Sequence, residues 1–114
     1  MSQVRCSHLL IKHQGSRNPV SRRTGESTAA KSKEAAIAEL QMWLEKIQKG
    51  EMSFADAAKL RSDCGSFREG GDLGMFGRGA MQKPFEDATY ALAVGELSGI
   101  VDTDSGVHII LRTA

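Results

Sequence analysis

Hydrophobic and polar residues alternate near the N-terminus, which is the pattern of a β-strand with two unlike faces. Over residues 4–13, Leu9 and Ile11 fall on one face, whereas His8 and Lys12 share the other. This segment therefore predicts a first strand that carries a histidine and a lysine on its mixed face.

The same alternation returns at the C-terminus, where residues 100–103 and 107–112 predict the two strands of a hairpin. Ile109 lies on an aliphatic face of the last strand, and His108 lies on the opposite face. If the two end strands pair with their aliphatic faces on one side, His108 will lie beside His8 on the other.

Between these strands, apolar residues recur every three or four positions and predict helices. Ser32 is the expected N-cap of a first helix that ends near Gly50. Ser53 is the expected N-cap of a second helix that ends near Arg61. A third helix is expected over residues 82–92, with a proline in its first turn.

Glycine is concentrated between residues 65 and 79, where six of the 12 glycines fall. Glycine permits tight turns and close backbone contacts, and residues 73–76 predict a short strand inside this segment. No Gly-Lys-Ser/Thr follows, and the G-x-G-x-x-G spacing fails at Gln82, so neither nucleotide-binding pattern is present. The order of elements predicts an α+β domain, in which helices flank a small sheet.

Length and composition suit a single domain, residues 1–114, because the chain is 40% hydrophobic and 25% charged. No apolar run approaches the roughly 20 residues of a membrane span, and residues 1–5 lack the apolar stretch of a signal peptide. Cys6 and Cys64 lie far apart and do not form the framework of a disulfide-rich secreted domain. We therefore expect reduced thiols, a cytoplasmic or nuclear location and no membrane contact.

Basic residues are concentrated in the first 25 positions, which hold five of them and no acid, although the net charge is only +1. Three of the five lie in residues 14–31, a polar segment that we expect to be a flexible loop. A nearly neutral protein with one basic region indicates a local anion site and not a nucleic-acid surface. A basic loop that is merely solvated is the alternative.

The histidine pair and Cys64 admit several chemical uses. Metal binding needs further ligands, and no third ligand stands at motif spacing. Nucleophilic catalysis by Cys64 is disfavoured, because the neighbouring Asp63 and a helix C-terminus both oppose a thiolate. The residue pattern alone favours two structural histidines and a buried cysteine.

Five separate segments resemble the parvulin family of peptidyl-prolyl isomerases, in the same order, and in detail its Pin-type members. They are RCSHLLIKH at 5–13, SDC at 62–64, GDLGMFGRG at 71–79, MQKPFEDA at 81–88 and TDSGVHII at 103–110. The resemblance implies a four-stranded antiparallel sheet with about four helices, and neither a cofactor nor a metal. It also implies isomerisation of bonds between phosphorylated Ser or Thr and proline in protein substrates.

The resemblance assigns roles to individual residues. The implied catalytic group consists of His8, Cys64, Thr103, Ser105 and His108. The implied proline pocket consists of Leu73, Met81, Gln82 and Phe85. The implied phosphate site contains Lys12 and Arg17.

One departure from the Pin-type pattern affects the phosphate site. Pin-type relatives usually carry two consecutive arginines where this chain has Arg17 followed by Asn18. Arg22 and Arg23 lie a few positions further on and are candidates to supply the missing charge.

The implied reaction breaks no covalent bond, so the enzyme would act by favouring the twisted amide over the planar one. An isomerase that is indifferent to phosphate is one alternative, and a non-catalytic phosphopeptide-binding module is another. Many Pin-type proteins add an N-terminal WW domain, whereas only three residues precede the predicted first strand here. We expect a monomer.

Overall fold

The computed structural model describes residues 3–114, so the expectations that rest on Met1 and Ser2 lie outside the described residues. Strands and helices follow one another in the predicted order. The strands are β1 (Val4–Ile11), β2 (Asp72–Phe76), β3 (Val101–Thr103) and β4 (Gly106–Arg112). The helices are α1 (Lys33–Gln48), α2 (Phe54–Arg61) and α3 (Lys83–Ala91), with a 3₁₀ helix at Gly65–Glu69.

The strands form one antiparallel sheet in the order β2-β1-β4-β3, so the first and last strands are central neighbours. In this register, His8 lies opposite Ile110 and Leu10 lies opposite His108. The predicted pairing of the end strands is therefore confirmed, and it places both histidines on the same face of the sheet.

Each face of the sheet packs against a separate hydrophobic cluster. On one face, Leu9 and Ile109 are fully buried with Leu40 of α1 and Ala57 of α2. On the opposite face, Phe85 of α3 packs with Val4, Cys6, Phe76 and Ile110. The alternation in β1 and β4 thus separates a purely structural face from the face that carries the histidines and α3.

The two predicted N-caps are confirmed. The Ser32 hydroxyl accepts a hydrogen bond from the Ala35 amide at 3.1 Å, and the Ser53 hydroxyl accepts one from the Asp56 amide at 3.1 Å. These bonds satisfy amides that have no partner inside the first helical turn. Among the helices of the described part, none combines the length and apolar character needed to cross a membrane.

The expected number of about four helices is corrected to three α-helices and one five-residue 3₁₀ helix within residues 3–114. Glycines explain the short element, because Gly70 ends it in the left-handed conformation and Gly71 follows with φ of 89°. A Cβ atom on Gly71 would lie 2.3 Å from the carbonyl oxygen of His8. Only glycine therefore allows the chain to turn this closely past β1 and enter β2.

Residues 14–31 form the long connection between β1 and α1, as predicted, and backbone hydrogen bonds hold it at several points. The Arg17 amide donates to the Asp104 carbonyl at 2.7 Å, and the Arg22 amide donates to the Asp63 carbonyl at 2.9 Å. The connection is thus held against the β3–β4 turn and the segment that follows α2. Its flexibility stays a prediction.

Candidate active site

His8 and His108 contact each other directly on the α3 face of the sheet. Their Nδ1 atoms lie 3.0 Å apart, and their ring centroids are 5.2 Å apart with 23° between the planes. The Thr103 hydroxyl oxygen lies 2.7 Å from Nε2 of His108. The three side chains therefore form a continuous hydrogen-bonded chain. The pairing of the end strands predicts its histidine contact, and the resemblance implies the role of Thr103.

Both rings of this pair are buried, and burial makes them neutral at neutral pH. Burial lowers the pKa of His8 to about 4. Burial also lowers the pKa of His108 well below its ordinary value, and the neighbouring His8 lowers it further. The Nδ1–Nδ1 contact has room for one hydrogen, so only one of the two rings carries its proton on Nδ1. The tautomers of His8 and His108 are consequently linked.

Phe85 supports the pair from α3. Its ring meets the His8 ring edge-on, with centroids 5.4 Å apart, and meets the His108 ring at 70° with centroids 5.1 Å apart. Edge-to-face contacts of this kind are favourable for aromatic rings. Phe85 therefore links the histidine pair to the apolar wall of the neighbouring cavity.

The nine residues implied as catalytic or as proline pocket all line one cavity of about 350 Å³, which we call the main cavity. They are His8, Cys64, Leu73, Met81, Gln82, Phe85, Thr103, Ser105 and His108. Arg17 and Ala80 complete the lining. Ala80 was not predicted, and its only signal was its place between two matched segments, since an alanine side chain has no distinctive chemistry.

A second cavity, which we call the basic cavity, adjoins the first. It has a volume of about 130 Å³ and shares Arg17, Cys64 and Ser105 with the main cavity. Lys12 and Arg22 also line it. Three of the four predicted phosphate ligands are therefore brought together beside Cys64.

Lys12 is held in place within this basic cavity. Its Nζ atom donates to the Val20 carbonyl at 2.8 Å. Burial lowers the pKa of the Lys12 amine, and the charge of Arg22 lowers it further. The cavity is thus a site where positive charges face each other and where an anion would relieve their repulsion.

Arg23 does not join this group. It lines a separate cavity of about 380 Å³, together with Lys31, Arg61 and Asp63. The side chains of Arg22 and Arg23 therefore enter different cavities, although the residues are consecutive. The hydrogen bond from the Arg22 amide to the Asp63 carbonyl fixes this part of the loop.

Asp63 is a structural residue of the site that the sequence interpretation treated only as a negative neighbour of Cys64. It is 2% exposed, and its Oδ2 atom accepts from the Lys12 amide at 2.9 Å. Its Oδ1 atom accepts from Arg61 Nη1 at 3.0 Å. Its charge is thus paired with Arg61, and its bond to the Lys12 amide holds the residue before Cys64 against the backbone of Lys12, which lines the basic cavity. The sequence signal for this role was the acidic residue immediately before the cysteine, in SDC at residues 62–64.

Gln82 lines the main cavity, as predicted, but its polar atoms hold the β3–β4 turn. Its Oε1 atom accepts from the Asp104 amide at 3.0 Å, which fixes the orientation of the side-chain amide. Its Nε2 atom then donates to the Ser105 hydroxyl at 2.9 Å. Because Ser105 accepts this bond, its own hydrogen is available for another acceptor, and Ser105 lines the cavity.

A protein-family model and curated proteins both match nearly the full length of the chain. The family model described as "Rotamase: PPIC-type PPIASE domain" matches residues 8–114. The chain is 56% identical to the peptidyl-prolyl cis-trans isomerase Pin1 of Arabidopsis thaliana, over 98% of this chain and 96% of that protein. It is 50% identical to the peptidyl-prolyl cis-trans isomerase NIMA-interacting 1 of Theileria annulata, over 100% of this chain and 82% of that protein.

Two solved structures are also similar. The solution structure of TbPIN1 superposes with a TM-score of 0.91 at 61% identity, and 100% of both chains is covered. The peptidyl-prolyl isomerase ESS1 from Candida albicans superposes with a TM-score of 0.94 at 46% identity, over 98% of this chain and 63% of that one.

Proposed function

Because the chain belongs to the PPIC-type peptidyl-prolyl cis-trans isomerase (rotamase) family, we propose that its substrates are proteins with phosphorylated Ser or Thr before proline. One observation carries this proposal: the basic cavity and the main cavity share Arg17, Cys64 and Ser105. A phosphate in the first cavity would place the next residue of the substrate in the second.

The basic cavity suits a phosphate in charge and in geometry. A phosphorylated side chain carries about −1.5 to −2 charges at neutral pH. Arginine binds phosphate oxygens in pairs and lysine binds them as a point charge. Arg17, Arg22 and Lys12 supply both kinds of donor. The second arginine of the Pin-type pattern is Asn18 in this chain, and Arg22 then supplies the charge that Asn18 lacks.

The apolar part of the main cavity suits a proline ring. Leu73 and Met81 line it together with Phe85, which is 4% exposed. The bond to be rotated would then lie between the phosphate site and this pocket, near Cys64 and Ser105. Holding both ends of the substrate orients the rotating bond before the reaction.

The chemistry requires stabilisation of a twisted amide and no covalent intermediate. Rotation about a peptide bond has a barrier of roughly 18–20 kcal/mol, which arises from amide resonance. Each tenfold acceleration requires about 1.4 kcal/mol of preference for the twisted state. Apolar surroundings disfavour the charge-separated planar amide, and the free hydrogen of Ser105 can be donated to the nitrogen lone pair, which the amide exposes only when it is twisted. The neutral histidine pair maintains the shape of the site.

The decisive experiment compares turnover of matched peptides that contain phosphoserine-proline, glutamate-proline or alanine-proline. The phosphorylated peptide should have the highest kcat/KM, with glutamate intermediate. Equal kcat/KM values for all three would reject the phosphate site and favour an isomerase indifferent to phosphate. Mass spectrometry during turnover should find no acyl or phosphoryl adduct on Cys64, and such an adduct would overturn the non-covalent mechanism.

We also propose that the protein acts as a monomer in the cytoplasm or the nucleus. Cys6 and Cys64 support a reducing compartment, because both are free thiols in the described residues. Light scattering at micromolar concentration should give a mass near 12.3 kDa, and a mass near twice that value would contradict the monomer.

A further inference from the structure

The segment between β2 and α3 carries one wall of the main cavity without belonging to a strand or a helix. Residues 77–82 form this segment, and Ala80 and Met81 line the cavity. The internal backbone bond, from the Ala80 amide to the Gly77 carbonyl, is long at 3.4 Å. The position of this wall therefore depends on what holds the segment from outside.

Glu86, in the first turn of α3, holds the segment through both of its carboxylate oxygens. Its Oε1 atom accepts from the Gly79 amide at 2.5 Å, and its Oε2 atom accepts from Arg78 Nη1 at 3.0 Å. The side chain of Glu86 is only 8% exposed. A buried carboxylate is costly unless donors surround it, and here each oxygen has a donor from the same segment.

The backbone is arranged to make this contact. Gly79 has φ of 89°, a conformation that favours glycine, and a side chain there would enter open space. The requirement for glycine is thus conformational and not steric, and this conformation presents the Gly79 amide to Glu86. The Gly79 amide bond and the Arg78 contact both lower the pKa of Glu86, so the carboxylate stays charged at neutral pH.

Arg78 extends the attachment along α3. Its guanidinium group lies 4.0 Å from the centroid of the Tyr90 ring, which is a cation–π contact. It also lies 3.4 Å from Oδ1 of Asp87. Arg78 is 58% exposed, so the exposed contacts support the segment less than the buried bonds to Glu86.

We propose that Glu86 is a positioning residue of the isomerase, which sets the distance between the Met81 wall and Phe85 and thereby the fit of the proline ring. Phe85 is the residue next to Glu86, so one turn of α3 supplies one wall and fixes the other. This inference rests on the proposed function, because it assumes that the proline ring enters the main cavity.

The test is Glu86→Gln, with Asp87→Asn as the matched control. Glu86→Gln keeps the shape of the side chain but removes its charge and turns an acceptor that faces Arg78 into a donor. Asp87→Asn removes the other carboxylate near Arg78. The side chain of Asp87 is 51% exposed, and it is Glu86 that accepts from the Gly79 amide. Peptides with proline and with its six-membered analogue pipecolic acid measure the fit of the ring.

Glu86→Gln should raise KM for the proline peptide by about fivefold, which corresponds to the loss of one hydrogen bond. It should change kcat less, and it should reduce the preference for proline over pipecolic acid. Asp87→Asn should leave KM and the preference as in the unmodified protein. Arg78→Met keeps Glu86 and the Gly79 bond, so it should shift both quantities in the same direction by a smaller amount, even if Glu86→Gln fails to fold.

Met81→Ala separates the two levels of the proposal. If Met81→Ala changes ring preference and the folded Glu86→Gln and Arg78→Met variants do not, the positioning role is wrong and the proline pocket stands. If Met81→Ala leaves KM and ring preference unchanged, the proline ring does not bind in the main cavity, and the pocket and the positioning role both fail.

Discussion

The Nδ1 atoms of His8 and His108 lie 3.0 Å apart between two rings that burial keeps neutral. Neither ring can therefore act as a permanent charge near the substrate. Their hydrogen bond instead connects β1 to β4 through side chains, on the face of the sheet where α3 and the main cavity lie.

This buried pair predicts a loss of stability in mild acid. The pKa of His8 falls from 6.5 in the unfolded chain to about 4 in the folded protein, and that of His108 is lowered in the same direction. The unfolded chain consequently binds more protons as the pH drops through this window. The free energy of unfolding should be unaffected by the pair above about pH 6.5. Below it, stability should fall by up to about 1.4 kcal/mol per pH unit for each histidine.

Urea unfolding between pH 7.5 and 4.5 measures this slope. The variant His8→Asn removes one of the two titrating rings and should have a shallower slope than the unmodified protein. An identical slope in both proteins would show that other groups cause the acid sensitivity.

Replacement of Arg22 by glutamine should lower kcat/KM, whereas the same replacement of its neighbour Arg23 should not. Arg22→Gln should lower kcat/KM for a phosphoserine-proline peptide by roughly tenfold or more, as expected for one charged hydrogen bond. It should have little effect on an alanine-proline peptide. Arg23→Gln changes the same residue type one position further on, where the side chain enters another cavity. It should leave both peptides unaffected, and equal losses in the two variants would contradict the placement of Arg22 in the phosphate site.

The two bonds of Gln82 predict an effect on Ser105. In Gln82→Glu, the new carboxylate cannot donate to Ser105 and instead accepts the hydrogen of its hydroxyl. The twisted amide of the substrate then loses a donor, and kcat should fall by about tenfold, as for one neutral hydrogen bond. The same change in a Ser105→Ala background should have a much smaller effect, as a double-mutant cycle would measure. Additive losses would show that Gln82 acts independently of Ser105.

The burial of Asp63 predicts a large difference between two Asp→Asn variants. Asp63→Asn leaves Arg61 without one of its buried partners and should lower the free energy of unfolding by about 3 kcal/mol. Asp102→Asn removes an ion pair with Lys33 in which both side chains are about half exposed, and should change it by less than about 1 kcal/mol. Urea unfolding at pH 7 compares the two. Similar losses would contradict the structural role of Asp63.

Local signals account for the parts of the fold that were predicted. The N-caps at Ser32 and Ser53 depend on a hydroxyl and an amide three residues away, so they can be identified in the chain itself. The pairing of β1 with β4 follows from their alternating faces, because only one arrangement buries both aliphatic rows. The histidine contact is a direct consequence of that register.

Long-range bonds account for the parts that were not predicted. The divergence of Arg22 and Arg23 accompanies a bond from the loop to the Asp63 carbonyl, about 40 positions away in the sequence. The role of Gln82 depends on a turn more than 20 residues later. The residue type alone does not show whether a side chain lines a pocket or holds a turn, because the two roles differ only in the partner that the side chain contacts.

The central position of β4 has a consequence for how the enzyme folds during its synthesis. His108 lies 100 positions after His8 in the sequence, and its strand lies between β1 and β3. During synthesis, β1 can pair with β2 first, but its longer ladder with β4 cannot form until residues 106–112 have been added. Contacts of such high sequence separation slow folding. A nascent chain that lacks β4 therefore has only His8 of the histidine pair, so we expect catalytic activity to appear only after β4 has been synthesised and has paired with β1.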